Sequence, residues 1–364
     1  MKNICFLLLL LLLTLSIWGQ EANNPAKDTL AEQSQLGPVS DTIPNINIFG
    51  ESTPLKITLK YDITSFVRNK SKGEYLDAEL QIYYSESELI TKNIRVKARG
   101  KFRNGQCIFP PIYLNFKTDP LENTELKEIK KMKLVTHCSS SKGSESNVLK
   151  EYLAYKMYNV LTDNSFKVRL LNITYIDTGK KQKIYQKYGF VIEPLELLCK
   201  RRNSIIIEPT IIRQENILEE FADKVALFQY MIGNTDWRFK SGHNTDYIKD
   251  LNIVTDKVIP VPYDFDFSGL VNAYYSYPQT WTSIEKVTDR EYLGYCRNSN
   301  EAYLKNINYF IEKKEEIFKT IEKFEYLDEK EKKSVSSFIE SFYNKISRPE
   351  NFIQTLKSEC RTEF

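Results

Sequence analysis

The hydrophobic period changes along this chain, and that change limits the folds open to it. Between residues 54 and 117 the apolar residues come in short alternating runs, "PLKITLKYDI", "LDAELQIYY", "KNIRVKARG" and "PIYLNFK". Period two turns one face of a strand inward and the other outward, so these runs predict antiparallel strands. The segment 145–162, "ESNVLKEYLAYKMYNVLT", breaks the pattern: Leu149, Tyr152, Leu153, Met157, Val160 and Leu161 recur at helical spacing. Ser144 or Ser146 is placed to cap its start. Two more strands, "KVRLLNITYI" and "IYQKYGFVIE", follow across the turn signal "DTGKK".

Beyond residue 204 the helical period takes over. In "ENILEEFADKVALFQYMIGNTDW", Leu218, Phe221, Val225, Phe228 and Ile232 mark a buried face, and Gly233 with Asn234 is a stop signal. Two strands, "NTDYIK" and "KVIPVPYDFDF", surround a turn at "DLNIVTDK". The segments "AYLKNINYFIEKKEEIFKTIEKF" and "EKKSVSSFIESFYNKI" read as solvated helices packed by one face. The residues thus predict a mostly antiparallel sheet with one embedded helix, followed by a mostly helical half.

The N-terminal stretch has the layout of a cleaved signal peptide over residues 1–19: a Lys, an apolar run from Ile4 to Leu13, and Gly19 before Gln20. The apolar run is shorter than the twenty or so residues a membrane span needs. Residues 20–50 are polar, with scattered Pro and no sustained period, and read as a flexible leader. These features predict an exported protein, periplasmic, on the cell surface or extracellular, with no transmembrane span after cleavage. Lys plus Arg, 51, nearly balances Asp plus Glu, 48, which argues against a nucleic-acid partner. Processing leaves Cys107, Cys138, Cys199, Cys296 and Cys360, an odd number; Cys107 to Cys138 is the favoured bridge because each flanks a neighbouring strand, and five free, buried cysteines are the alternative.

The second half also carries the chemistry. If "IPVPYDFDFSG" is a strand, Asp264 and Asp266 share one face while Tyr263, Phe265 and Phe267 share the other. Asp is depleted from strands, so two carboxylates there call for a task. The hairpin between Asp236 and Asp264 brings its ends together, so Asp236, Asn244, Asp264 and Asp266 are expected to converge as oxygen ligands without His or Cys. That set suits Mg²⁺ or Mn²⁺ carrying phosphates better than zinc. A phosphoryl-transfer site needs these parts: a carboxylate for the attacking oxygen, an Asn and a carboxylate for the metal, and cations for the phosphates.

"GNTDW" after a helix, an Asn-containing strand, and then "IPVPYDFDF" resemble the "GNWDW…IPWDFD" signature of the CotH family, the spore-coat-protein-H group of atypical kinase-fold proteins. "RGKFR", "NVLKEYLAYKMYNVLT" and "YGFVIEPLE" resemble further family segments in the same order, and the likeness spans roughly residues 90 to 275. The resemblance implies an α+β, atypical protein-kinase-like two-lobed fold, with an antiparallel-sheet N-lobe containing one main helix over 51–204 and a mostly helical C-lobe over 205–364. It implies binding of ATP and a divalent metal and phosphorylation of Ser or Thr on a protein substrate at the cell surface. By position, Asp236 is the catalytic Asp, Asn244 and Asp264 are metal ligands with Asp266 as a second candidate, Arg99 faces the phosphates, and Glu193 closes the "YGFVIE" strand. Two departures stand out: Asn115 occupies the place of a phosphate-pairing Lys, for which Lys117 or Lys133 are the substitutes, and "RGKFR" is bulkier than the family's "RGNSS".

Each residue also has a plain structural use, with Asp236 as a cap, Asn244 as a turn residue, Arg99 as a strand end and Glu193 as the partner of a basic side chain. Other chemistries lack parts. His137 and His243 come with no GxSxG elbow and read as structural, and no P-loop or dinucleotide fingerprint is present. A glycosyltransferase DxD site would be expected among parallel strands. The alternative to an active phosphotransferase is a catalytically impaired surface or periplasmic binding protein that keeps the fold.

Overall fold

The computed structural model describes residues 46–86, 88–122, 124–208 and 211–362. The signal peptide expected at 1–19 and all but the last five residues of the expected leader lie outside the described residues. Of those five, Ile48 and Phe49 are buried in the core of the first sheet. Among the described residues no helix is long and apolar enough to cross a membrane.

Seven strands, numbered in chain order, make the first sheet: β1 (Leu55–Tyr61), β2 (Leu76–Tyr83), β3 (Leu89–Ala98), β4 (Ile112–Asn115), β5 (Lys131–Val135), β6 (Val168–Asp177) and β7 (Ile184–Ile192). They close into a barrel in the order β1-β2-β3-β4-β5-β7-β6. This overturns the expected atypical protein-kinase-like two-lobed fold with an antiparallel-sheet N-lobe, because the sheet is a closed barrel of mixed strand direction. The seam that closes the barrel is parallel: β1 runs alongside β6 from Leu55 opposite Leu171 to Tyr61 opposite Asp177. Closure removes both sheet edges and gives the inward-pointing Ile57, Leu59, Leu80, Ile94, Leu114 and Ile173 one shared interior.

The sheet also holds more than the single expected helix, because α1 (Ile63–Asn69) and α2 (Lys101–Gln106) sit at strand ends. The main helix is α3 (Lys142–Leu161), capped by Ser141, whose Oγ accepts from the Ser144 N–H. Twelve of its 20 residues are buried, which makes it a central helix rather than a surface one. On one side it packs against the outer face of the barrel wall, where Val135, Val168, Leu170, Phe190 and Ile192 join its core. That second buried face explains the unbroken run of buried residues from Val168 to Leu171 at the start of β6, since a strand covered on both sides need not alternate.

On its other side α3 meets α5 (Glu219–Ile232), which follows α4 (Leu195–Arg202) and β8 (Ser204–Ile207). Tyr158 and Phe228 pack with ring centroids 4.6 Å apart. A second, three-stranded antiparallel sheet joins β8, β9 (Thr245–Asp250) and β10 (Ile259–Pro262). The chain ends in α6 (Asn300–Glu312), α7 (Lys314–Glu322), α8 (Glu329–Ile346) and α9 (Pro349–Glu359), each burying one apolar face. Among the described residues there are two disulfides: Cys107–Cys138, the bridge favoured from the sequence, and Cys296–Cys360. Cys199 is a buried free thiol.

Candidate functional site

Asp236 owes its position to the way α5 stops. Gly233 takes a left-handed conformation, φ 64°, that ends the helix, and a Cβ there would meet Phe338 Cζ at 3.0 Å. Asn234, now fully buried, donates from Nδ2 to Gln229 Oε1 and accepts the Asp236 N–H at Oδ1. Trp237, also buried, donates its indole N–H to the Asn234 carbonyl. The "GNTDW" segment is therefore a rigid turn with Asp236 at its open side.

Six residues later the chain returns. A bridge between Arg238 and His243, with Gly242 at φ 62°, closes a tight loop that sets His243 and Asn244 beside Asp236. His243 Nε2 lies 2.8 Å from Asp236 Oδ1. The Asn244 side-chain amide donates to the Asp236 carbonyl at 2.7 Å and to Oδ2 at 3.1 Å, which leaves its own carbonyl oxygen free to accept. The hydrogen bond to Asp236, only partly offset by burial, raises the His243 pKa above the ordinary histidine value.

The third arm departs from the sequence expectation. β10 stops at Pro262, and Asp264 sits in the left-handed region at φ 63°, so the strand alternation does not continue through "YDFDF". The strained turn is held from two sides: the Tyr263 N–H donates to the Asn244 carbonyl at 3.0 Å and the Asp264 N–H to Tyr155 Oη of α3 at 2.9 Å. Gly269 and Leu270 then bond back to Gly233 and Ile232, tying this loop to the end of α5.

The two Asp residues consequently live in different surroundings. Asp264 is half-buried and lines a cavity of about 330 Å³ with Arg99, Asp236, Asn244 and Trp281. Asp266, which touches the same cavity, is only 4% exposed and accepts from Tyr275 Oη at 2.9 Å. Behind it lie Arg103 of α2 and Glu151 of α3, with guanidinium nitrogens 3.8 Å from Asp266 Oδ2 and from Glu151 Oε2. Burial, then the neighbouring Asp264, push the Asp266 pKa up to about 7 against the pull of Arg103. Glu151 is raised in the same way, by burial first and then by Asp266.

The structure brings Asp236, Asn244, Asp264, Asp266 and Arg99 to one cavity and separates the remaining candidates from it. Lys133 of β5 stands over the Tyr263 ring at 4.3 Å and lines an adjoining cavity of about 530 Å³ with Tyr113, Phe166, Glu193 and Asp246. Burial lowers its pKa. Glu193 is tied up: Arg201 binds both of its oxygens, and the Lys167 N–H donates to one of them. Lys117 is exposed and lines neither cavity. Glu151, Arg103 and His243 did not emerge from the sequence as site residues. Glu151 had a readable signal, because it lies three residues after Val148 and four before Tyr155, on a buried face where a carboxylate needs a partner.

The residues fit a hard cation in part. The donors are oxygens, the Asp264 carboxylate and the Asn244 amide, and three carboxylates (Asp264, Asp266, Glu151) meet two guanidiniums (Arg99, Arg103). Among the described residues no group of three or more His, Cys, Asp or Glu is close enough to enclose a metal ion. Magnesium is the cation that such a sparse set suits, because it keeps waters and takes phosphate oxygens to complete its octahedron. Arg99 contributes a buried Nε without a hydrogen-bond partner at the cavity wall.

No family model matches the chain, and no curated protein does, so the likeness to the CotH family is not shown by these comparisons. Among solved structures, the chain is similar to the proinflammatory kinase CtkA of Helicobacter pylori, with 13% identity, a TM-score of 0.39, and coverage of 71% of this chain and 94% of that one. A likeness that distant carries no argument about chemistry.

Proposed function

We propose that this protein binds a divalent cation and a phosphate-bearing nucleotide, ATP, and transfers a phosphoryl group to a hydroxyl, with Ser or Thr of a protein as the acceptor class. The observation that carries the reading is the Asp236–Asn244 pair, in which one amide fixes the carboxylate and keeps an oxygen for a cation, facing Asp264 across the same cavity. Asp236, with one oxygen on His243 and the other on Asn244, is oriented to take the proton of an incoming hydroxyl. Asn244 and Asp264 would hold the cation, which supplies charge neutralisation to the phosphates. Arg99 and Lys133 offer the positive charge on the phosphate side, and the cavity beside Lys133 has room for the nucleoside. Asp266, Arg103 and Glu151 form the buried floor that keeps Asp264 aimed outward. Two disulfides favour an oxidising compartment, in keeping with the expected export.

The test is thermal stability with Mg²⁺ or Mn²⁺ and ATP, for the wild type and for Asp264→Asn. A ligand at a hundredfold its dissociation constant stabilises by about 2.7 kcal/mol. No shift in the wild type sinks nucleotide binding, and an equal shift in the variant sinks Asp264 as a ligand. Asp236→Asn should keep the shift and lose transfer. A wild type that binds without transferring would be the binding protein of the alternative reading.

A further inference from the structure

One end of the barrel holds a third cavity, of about 480 Å³, which shares no lining residue with the carboxylate site. The Cys107–Cys138 bridge separates them: Phe267 packs on the bridge from the site side, while Ile108 and His137 flank it on the other. The walls are apolar, made by Ile63 and Val67 of α1 with Phe109 and Tyr185, and Ile108 stands at the rim 64% exposed.

His137 is the polar group inside. It is 3% exposed and stacked on Phe109 at 4.7 Å, and its Nδ1 is buried without a hydrogen-bond partner. A buried polar atom left unpaired in a folded protein is costly and calls for an occupant. Burial, reinforced by Lys187 and Arg103, lowers its pKa to about 3, so the ring is neutral and sits in a positive field. Lys181, Lys183 and Lys187 surround the opening. The carboxylate among the lining residues, Asp177, is engaged by Thr64 Oγ1, the Thr64 N–H and the Gly179 N–H. Lys187 is paired with Glu145 at 3.0 Å, whereas Lys181 and Lys183 are exposed at the rim.

We propose that this barrel-end cavity is a binding site for a small organic acid. Its ring or branched alkyl body would lie against Phe109, Ile63 and Val67, its anionic group between Lys181, Lys183 and Ser139, and a polar substituent against His137 Nδ1. The volume is that of small-molecule sites, and the pattern, an apolar chamber with few polar groups, is theirs as well. Hydrogen bonds from the Phe109 N–H to the Cys138 carbonyl and from Thr136 Oγ1 to the Pro110 carbonyl hold the floor together with the disulfide, so the chamber is already formed.

The probe is anilinonaphthalene sulfonate, an aromatic anion whose fluorescence rises in apolar surroundings, titrated into the full protein. One saturable site is expected, displaced by phenylacetate at a concentration at least tenfold lower than its neutral isostere phenylacetamide. Three exposed positions, Lys181, Lys183 and Ser140, give two variants that leave the core intact. Lys181→Ala combined with Lys183→Ala should weaken the probe at least fivefold, and Ser140→Trp, at the rim, should abolish it. Absence of a saturable site, equal displacement by acid and amide, or unchanged affinity in either variant overturns the proposal.

Discussion

Asn244 donates one side-chain amide to both the backbone carbonyl and the carboxylate of Asp236, at 2.7 and 3.1 Å, and does so from a left-handed backbone position at φ 53°. Both halves of that relationship can be probed. Asn244→Ala removes the donor and the cation's amide oxygen together, so phosphoryl transfer should fall on the order of 100-fold or more. The stability cost should be that of a hydrogen bond, about 1 kcal/mol, plus the penalty of alanine in left-handed backbone. Single-turnover transfer and a denaturant melt read the two effects separately, and transfer within threefold of wild type would remove Asn244 from the mechanism.

The only two histidines should titrate on opposite sides of the ordinary value, so proton NMR of their ring resonances reads both at once. Asp236 raises His243, which should titrate above 6.5 and move down in Asp236→Asn. Its contribution to stability is present below 6.5 and lost as pH rises through the folded value. His137 is buried neutral with its pKa near about 3, so the folded state binds fewer protons than the unfolded chain between 3 and 6.5. Stability from this group is therefore full above 6.5 and declines as pH falls, by up to about 1.4 kcal/mol per pH unit. His137→Phe, which keeps an aromatic ring on Phe109, should show a smaller loss than wild type between pH 7.5 and 5.0.

Gly233→Ala should destabilise by about 1–2 kcal/mol, the cost of left-handed backbone for an L-residue. The added Cβ also meets Phe338 at 3.0 Å. Because Gly269 bonds to the Gly233 carbonyl at 2.9 Å, the same change should loosen the Asp264 loop and weaken nucleotide-dependent stabilisation. A melt that matches wild type with and without Mg²⁺ and ATP would show that the turn tolerates a side chain.

The two disulfides should differ in what they protect. Replacing Cys107 and Cys138 by Ser should cost about 2–4 kcal/mol, and the carboxylate site and the barrel-end cavity should both suffer, because Phe267 packs on that bridge and Phe109, stacked on His137, is bonded to the Cys138 carbonyl. Replacing Cys296 and Cys360, which join the loop before α6 to the end of α9, should cost stability while leaving ligand affinities within twofold. Equal effects on ligand binding from both pairs would contradict this division.

Much of the site was legible because it is local. The stop after α5, the hairpin of β9 and β10, and the nearness of Asp236 to Asn244 are set by turn residues and short separations. The roles of Asp264 and Asp266 were not, since a single left-handed residue at Asp264 undoes the alternation on which the strand reading depended. Arg103 was hidden for another reason: it looks like an ordinary surface charge in its own segment, and its partnership with Glu151, whose place on a buried face signals only the need of some partner, links α2 to α3 through the tertiary fold. Barrel closure was equally hidden, because β1 and β6 carry no mutual signal in their residues beyond being strands.

The parallel seam has a consequence for the order in which the molecule is made. On a ribosome β1 emerges early and can zip to β2 at once, but its other edge has no partner until residues 168–177 have been synthesised. Until then the nascent barrel is an open ribbon with the outer edges of β1 and β5 bare, the kind of surface to which other chains adhere. Pairing over that sequence distance also carries a large loop-closure cost, so the seam belongs to the slow end of assembly. A chain halted before β6 would hold its N-terminal hairpins yet lack a closed wall for α3 to lean on, and with it the Tyr155 hydroxyl that anchors Asp264.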